Sequence, residues 1–145
     1  MFNYYFDTER EGHDDVVRLF EAIRAGAYEG YASTLVTDEL KRAPEPKRGD
    51  MLTLTGRYGI VILEPMPEVV RLARLYIENG IIPSSHLMDS SHVAMATVGR
   101  LDCVVSYNFH HINRNKTRTL TTAVNQDNGY NSVIICTAGE VLDNE

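Results

Sequence analysis

The chain has 145 residues, one domain's length on the usual scale of about 100–200 residues and enough to bury roughly two-thirds of the unfolded surface. Hydrophobic residues at 43% and charged residues at 23% exclude a disordered chain. The longest aliphatic runs, residues 60–63 and 133–135, fall far below the ~20 residues of a membrane span, so a soluble protein with no membrane partner is expected. Fourteen Lys and Arg against twenty Asp and Glu give a net charge of −6, the wrong sign for holding nucleic acid by bulk charge.

In chain order, the N-terminus carries no basic stretch followed by an apolar one, so nothing marks it for export and a cytoplasmic location is expected. Val16, Leu19, Phe20 and Ile23 recur at helical spacing and predict an amphipathic helix over residues 14–25, stopped by Gly26. Residues 28–32 form a short β-like run, after which Ser33 or Thr34 caps a second helix that ends before Pro44. A turn at residues 44–46 leads to a helix over residues 50–58 and a buried strand over residues 59–63. Val69, Leu72, Ala73, Tyr76 and Ile77 lie on one stripe of a helix over residues 67–79, closed by Gly80. Ser84 or Ser85 caps the next helix, which runs to Val98 and closes at Gly99. A strand over residues 102–106, a helix over 113–125 and a strand over 132–137 complete the chain. This alternation predicts an α/β fold, a three-layer α/β/α sandwich around a largely parallel central sheet, in a single domain over residues 1–145.

In such sheets ligands sit beyond the carboxyl ends of the strands, so polar residues just after strands carry the chemistry. Glu39 shares a face with Leu35 in the helix after the first β-like run. Asp89, in the first turns of its helix, aligns with Val93 and Ala96 and is expected on the apolar side. Asn108 follows the 102–106 strand by two residues. Carboxylates converging on one cleft repel unless a hard divalent cation with oxygen ligands holds them, which points to Mg²⁺ or Mn²⁺. The bland alternative for each is a cap or half of an ion pair.

His86, Asp89 and His92 recur at i, i+3 and i+6, but that spacing spans nearly two turns and wraps away from a single metal. His92 reads as a core histidine and His111 as a supporting donor near a strand end. Two basic clusters, Lys41, Arg42, Lys47 and Arg48, and Arg114, Lys116 and Arg118, are local candidates for phosphate contact, although solvated helix faces are the commoner outcome. Tyr4 and Tyr5 read as packing residues. The two cysteines, Cys103 and Cys136, each lie in an apolar run, fit no zinc spacing, and read as reduced core residues.

Asp89-Ser-Ser-His92-Val-Ala94-Met-Ala96, followed by Leu101-Asp102-Cys-Val-Val-Ser106-Tyr-Asn108-Phe-His-His111-Ile112, resembles the paired signature of PIN-domain proteins. In that family an Asp-x-x-His-x-Ala helix precedes a strand ending in Thr or Ser, then x-Asn or x-Asp. Glu39-Leu40 matches the upstream Glu-Leu element, and residues 125–136 are similar to the end of one bacterial subgroup, so the resemblance covers nearly the whole chain. It implies a Mg²⁺- or Mn²⁺-dependent ribonuclease acting on RNA, often the toxin of a toxin–antitoxin pair with an antitoxin protein as partner, and commonly a homodimer. By position it implies that Glu39 and Asp89 are acidic metal-site residues, that Asn108 is the polar member after the fourth strand, and that Ser106 supports it.

The family's opening strand ends in an Asp, and two registers are open for it here. In one, residues 2–6 are the strand and Asp7-Thr8 is its Asp-Thr pair, making Asp7 a metal ligand. In the other, residues 1–3 correspond to the stretch just after Asp-Thr-Ser, the domain is truncated at its N-terminus, and the site lacks one ligand. The second register fits the length and aromatic character of the stretch up to the first helix, and it makes activity of this chain doubtful. A non-catalytic PIN-like module that binds RNA or a partner protein is the alternative. A receiver-like signalling domain fits less well, because no Lys follows the 132–137 strand.

Overall fold

The computed structural model describes residues 8–42, 44–105 and 114–143. In chain order the described elements are α1 (His13–Arg24), β1 (Tyr31–Ser33), α2 (Thr34–Lys41), α3 (Lys47–Arg57), β2 (Val61–Leu63), α4 (Pro67–Glu78), a 3₁₀ turn (Ser84–His86), α5 (Leu87–Val98), β3 (Cys103–Val105), α6 (Arg114–Asp127), β4 (Ile134–Cys136) and α7 (Ala138–Asp143). They divide into two compact units, Met1–Glu64 with Ala138–Glu145, and Pro65–Thr137. The protein is thus mixed α/β with short parallel strand pairs. The described strands form two separate two-stranded sheets, β1–β2 and β3–β4, and the central sheet expected from the sequence is not among them.

In the first unit, α1 buries Val16, Leu19 and Phe20, the i, i+3, i+4 stripe of an amphipathic helix. Asp14 and Asp15 at its start and Arg24 at its end complement the helix dipole. Phe20 packs on Tyr58 with ring centroids 5.1 Å apart, and the Tyr58 hydroxyl donates to Glu21 Oε1 at 2.8 Å. The helix α7, which hydropathy periodicity over so few residues does not reveal, packs on α1 and accepts from the Tyr28 hydroxyl at Val141 O, 3.4 Å away.

β1 and β2 run parallel with Ala32 opposite Ile62, joined through α2 and α3. Ser33 caps α2 as expected, its Oγ accepting the Leu35 N–H at 3.1 Å. The helix α3 begins at Lys47, three residues earlier than the sequence pattern indicates. The strand over residues 59–63 is shorter than expected and not buried, with Val61 47% and Ile62 38% exposed. An apolar run is buried only where both faces of its sheet are covered, and the exposure of the consecutive Val61 and Ile62, which point to opposite faces, shows that neither face of this pair is fully covered.

In the second unit, α4 and α5 pack as a helical hairpin, burying Val69, Leu72, Ala73 and Tyr76 against Val93, Ala94 and Ala96. Small residues on α5 let the backbones approach, and Ser90 Oγ donates to Ala73 O at 2.7 Å. Neither Ser84 nor Ser85 caps α5; both lie in the 3₁₀ turn, and the cap residue is His86 with no side-chain capping bond. β3 and β4 are parallel, Val104 opposite Ile135, on either side of α6 in the chain.

Four helices end on a glycine of positive φ, at Gly26, Gly59, Gly80 and Gly129, each followed by a residue bonding back to the preceding turn. At the end of α5 the left-handed residue is Arg100, with φ 57°, not Gly99. Gly99 is helical, and a Cβ there would meet Met95 O at 3.0 Å.

The core of the second unit contains a polar cluster. Tyr76 donates to Asn125 Oδ1 at 2.5 Å, Asn125 Nδ2 donates to Thr97 Oγ1 at 3.3 Å, and Thr97 Oγ1 donates to Val93 O at 2.8 Å. All three residues are 2% exposed or less. One turn before Asn125, Thr121 is fully buried and its Oγ1 has no hydrogen-bond partner among the described residues. Asn125→Ala is therefore expected to cost about 2–4 kcal/mol, since it removes the amide that accepts from Tyr76, leaves Thr97 Oγ1 at 3.2 Å as that hydroxyl's remaining neighbour in the cluster, and opens a cavity. Thr121→Val, replacing an unbonded hydroxyl by a methyl of the same shape, is expected to be neutral or stabilising. Urea unfolding of both variants measures the contrast.

Burial pushes the Tyr76 hydroxyl up from its ordinary 10.0 to about 12, opposed by its hydrogen bonds with Thr97 and Asn125. A raised folded-state value means that this contribution to stability is complete below pH 10 and is lost as pH rises from 10 towards about 12. The loss amounts to about 2–3 kcal/mol. Tyr76→Phe is expected to be less stable at neutral pH and to show a shallower decline across that window, as read from unfolding free energies at successive pH values.

Candidate functional site

Asp89 is the residue of the expected site that the structure describes most fully. It lies in the first turn of α5, its side chain only 12% exposed, on the side of the helix that carries buried Val93 and Ala96. The inward placement read from the sequence therefore holds. Its Oδ2 lies 3.0 Å from His86 Nδ1, an i, i+3 pair across the junction of the 3₁₀ turn and α5. The His86 side chain is 36% exposed, so this is a rim contact and not a deeply buried ion pair. The sequence placed His86 and Asp89 in one pattern but not as partners; the i, i+3 spacing at a helix start is the signal that identifies them.

Glu39 lies in α2 of the first unit, and its side chain is outside the described residues, as are Asp7, Ser106, Asn108, His110 and His111. Among the described residues no group of three or more His, Cys, Asp and Glu is placed to hold a metal ion. The helix α5 and the strand β3 follow one another within the second unit, so Asp89 and the strand that precedes Ser106 belong to one compact body. His92 is half-buried, in keeping with a packing role.

Of the two basic clusters, Arg48 is engaged within its own turn, Nε donating to Glu45 Oε1 at 2.7 Å and Nη1 to Lys41 O at 3.4 Å. Lys41 and Arg42 are exposed. On α6, Lys116 is exposed and Arg118 half-buried. The concavity lined by Thr8, Arg10, Glu11, Gly12, His13, Asp14 and Asp15 at the start of α1 contains none of the expected site residues among those described. No helix among the described residues is long and apolar enough to cross a membrane.

No family model matches the chain, and comparison with characterised proteins and with solved structures finds no match either. The functional reading therefore rests on the residues themselves.

Because the His86–Asp89 contact is partly exposed, Asp89→Asn is expected to change stability by about 1 kcal/mol or less, including the lost helix-dipole term. Urea unfolding checks this, and a small value makes the substitution a clean probe of chemistry.

Proposed function

We propose that the protein is a Mg²⁺- or Mn²⁺-dependent ribonuclease of the PIN-domain type with a three-layer sandwich fold, in which Glu39, Asp89 and Asn108 are the metal-site residues. The observation that carries the reading is the placement of Asp89. It is a carboxylate on the inward side of a helix start, oriented by a histidine, in a helix that feeds directly into the parallel strand preceding Ser106 and Asn108. The parallel pairing of β3 with β4 supports it, because the carboxyl end of β3 leads into that segment.

Carboxylate and amide oxygens are the donors that Mg²⁺ and Mn²⁺ take, so the residue types fit the ion. When bound, such a metal activates a water and stabilises the leaving oxygen of a phosphodiester. Within the chain, Asp89 supplies negative charge, and His86 fixes the orientation of its carboxylate in the manner of an outer-shell partner. The same reading makes the protein a homodimer and the toxin of a toxin–antitoxin pair, with an antitoxin protein as its partner.

The test is cleavage of single-stranded RNA with Mg²⁺ or Mn²⁺, together with calorimetric Mn²⁺ titration. Asp89→Asn is expected to lower cleavage by about 100-fold or more, and Glu39→Gln to weaken Mn²⁺ binding. Asp7→Asn separates the two registers: loss of Mn²⁺ binding makes Asp7 the first-strand ligand, and no change excludes it from the site. RNA bound but uncleaved at saturating metal, with binding unchanged in Asp89→Asn, would replace the nuclease with the non-catalytic binding module.

A further inference from the structure

The two cysteines, 33 positions apart in the sequence, meet in the second unit, and the proposed nuclease site uses neither. β3 and β4 pair with Cys103 opposite Ile134 and Val105 opposite Cys136. Side chains alternate along strands, and paired residues of neighbouring strands share a face. Cys103 and Cys136 therefore leave the same face of the sheet, one from each strand, two residues out of register. Neither is in a disulfide; Cys136 is buried and Cys103 half-buried. The Cys136 thiol proton has two acceptors in reach: Val104 O, 3.7 Å from its Sγ, and the sulfur of Cys103.

We propose that Cys103 and Cys136 form a peroxide-responsive dithiol, with Cys103 the sulfur that reacts first and Cys136 the one that resolves it. Reaction with a peroxide requires a thiolate that the oxidant can reach. Cys103 has the exposure, and the hydrogen bond from Cys136 holds its thiol down from 9.0 to about 7, against the opposing effects of burial and of Asp102, the charged group acting on it among the described residues.

In the first step the Cys103 thiolate attacks a peroxide oxygen. An S–O bond forms, the O–O bond breaks, and hydroxide or alkoxide leaves to be protonated by water. In the second, Cys136 sulfur displaces that oxygen from the Cys103 sulfenic acid, forming S–S, and water departs with the Cys136 proton. Two thiols lose two electrons and the peroxide gains them.

With strands about 4.8 Å apart and a rise of about 3.3 Å per residue, residues two out of register on parallel strands have Cα atoms about 8 Å apart, beyond the limit of an unstrained disulfide. The product therefore pulls β3 against β4, and mild thiols reduce it readily.

The experiment treats the reduced full chain with hydrogen peroxide, followed by alkylation and peptide mapping by mass spectrometry. The expected product is an intramolecular Cys103–Cys136 disulfide, lighter by two hydrogens and reversed by dithiothreitol. Cys136→Ala is expected to stop at a Cys103 sulfenic acid that dimedone traps, and Cys103→Ser to give neither species. Iodoacetamide alkylation of Cys103 at pH 7 should slow by roughly fivefold to tenfold in Cys136→Ala. The thiolate fraction there falls steeply, because burial and Asp102 now act unopposed, while each remaining thiolate is the stronger nucleophile. The pH profile of alkylation in the unaltered protein needs no variant: an inflection near 7 supports the proposal, and one near 9 overturns it. Survival of both thiols through peroxide treatment overturns it as well, whatever the outcome of the RNA assay.

Discussion

Tyr76, Thr97 and Asn125 come from three different helices and meet where no water reaches them. In a low-dielectric core a hydroxyl or amide left unpaired costs far more than its hydrogen bond gains, so rotating or sliding any one of α4, α5 and α6 strands polar groups on the other two. Apolar packing alone tolerates such slips more easily. The cluster thus fixes the register of the helices as well as their contact. Asp89 lies eight residues before Thr97 on α5, a rise of about 12 Å along one continuous helix. Locking Thr97 in place therefore sets the direction in which the carboxylate faces.

The strands depend on these helices. Three-residue parallel pairs have too few ladder bonds to persist alone, and parallel pairing brings its crossover helices onto the sheet. β3–β4 buries Ile135 and Cys136 but leaves Ile134 58% exposed, and β1–β2 leaves Val61 and Ile62 open. Both pairs thus leave large apolar side chains exposed. Such side chains are what a further layer or another chain would cover at low cost in solvation.

Helices were readable from the sequence because their apolar residues recur at a period that only one backbone conformation places on one face. Val69, Leu72, Ala73 and Tyr76 are such a set, and the helix that carries them ends one residue before the expected boundary. Strand burial was less readable, because a run such as residues 60–63 records hydrophobicity and not what covers it. The start of α5 was misread since Ser84 and Ser85 have capping chemistry, yet the preceding Pro83 begins a 3₁₀ turn that takes them up. Asp89 was correctly placed on the inward side, because its alignment with Val93 and Ala96 is a property of helix geometry. The proximity of Cys103 to Cys136 depends on strand register, which no local pattern reports.

The route from the buried cluster to the thiols runs through backbone bonds. Thr97 carries Oγ1 into the cluster, and its carbonyl accepts the N–H of Arg100 at 3.2 Å, while Ala96 O accepts that of Leu101 at 2.8 Å. These bonds close α5 although Arg100 must adopt a left-handed conformation that costs a residue with Cβ about 1–2 kcal/mol. Two residues on, Asp102 O receives the N–H of Ile134 at 3.4 Å, the bond that opens the β3–β4 pairing. The position of Thr97 thus determines where β3 starts, and the start of β3 determines that Cys103 lies opposite Ile134 and diagonal to Cys136. A slip of one residue in that register would turn one thiol to the opposite face of the sheet. The polar core that aims Asp89 at one end of α5 therefore also brings the two sulfurs together beyond the other.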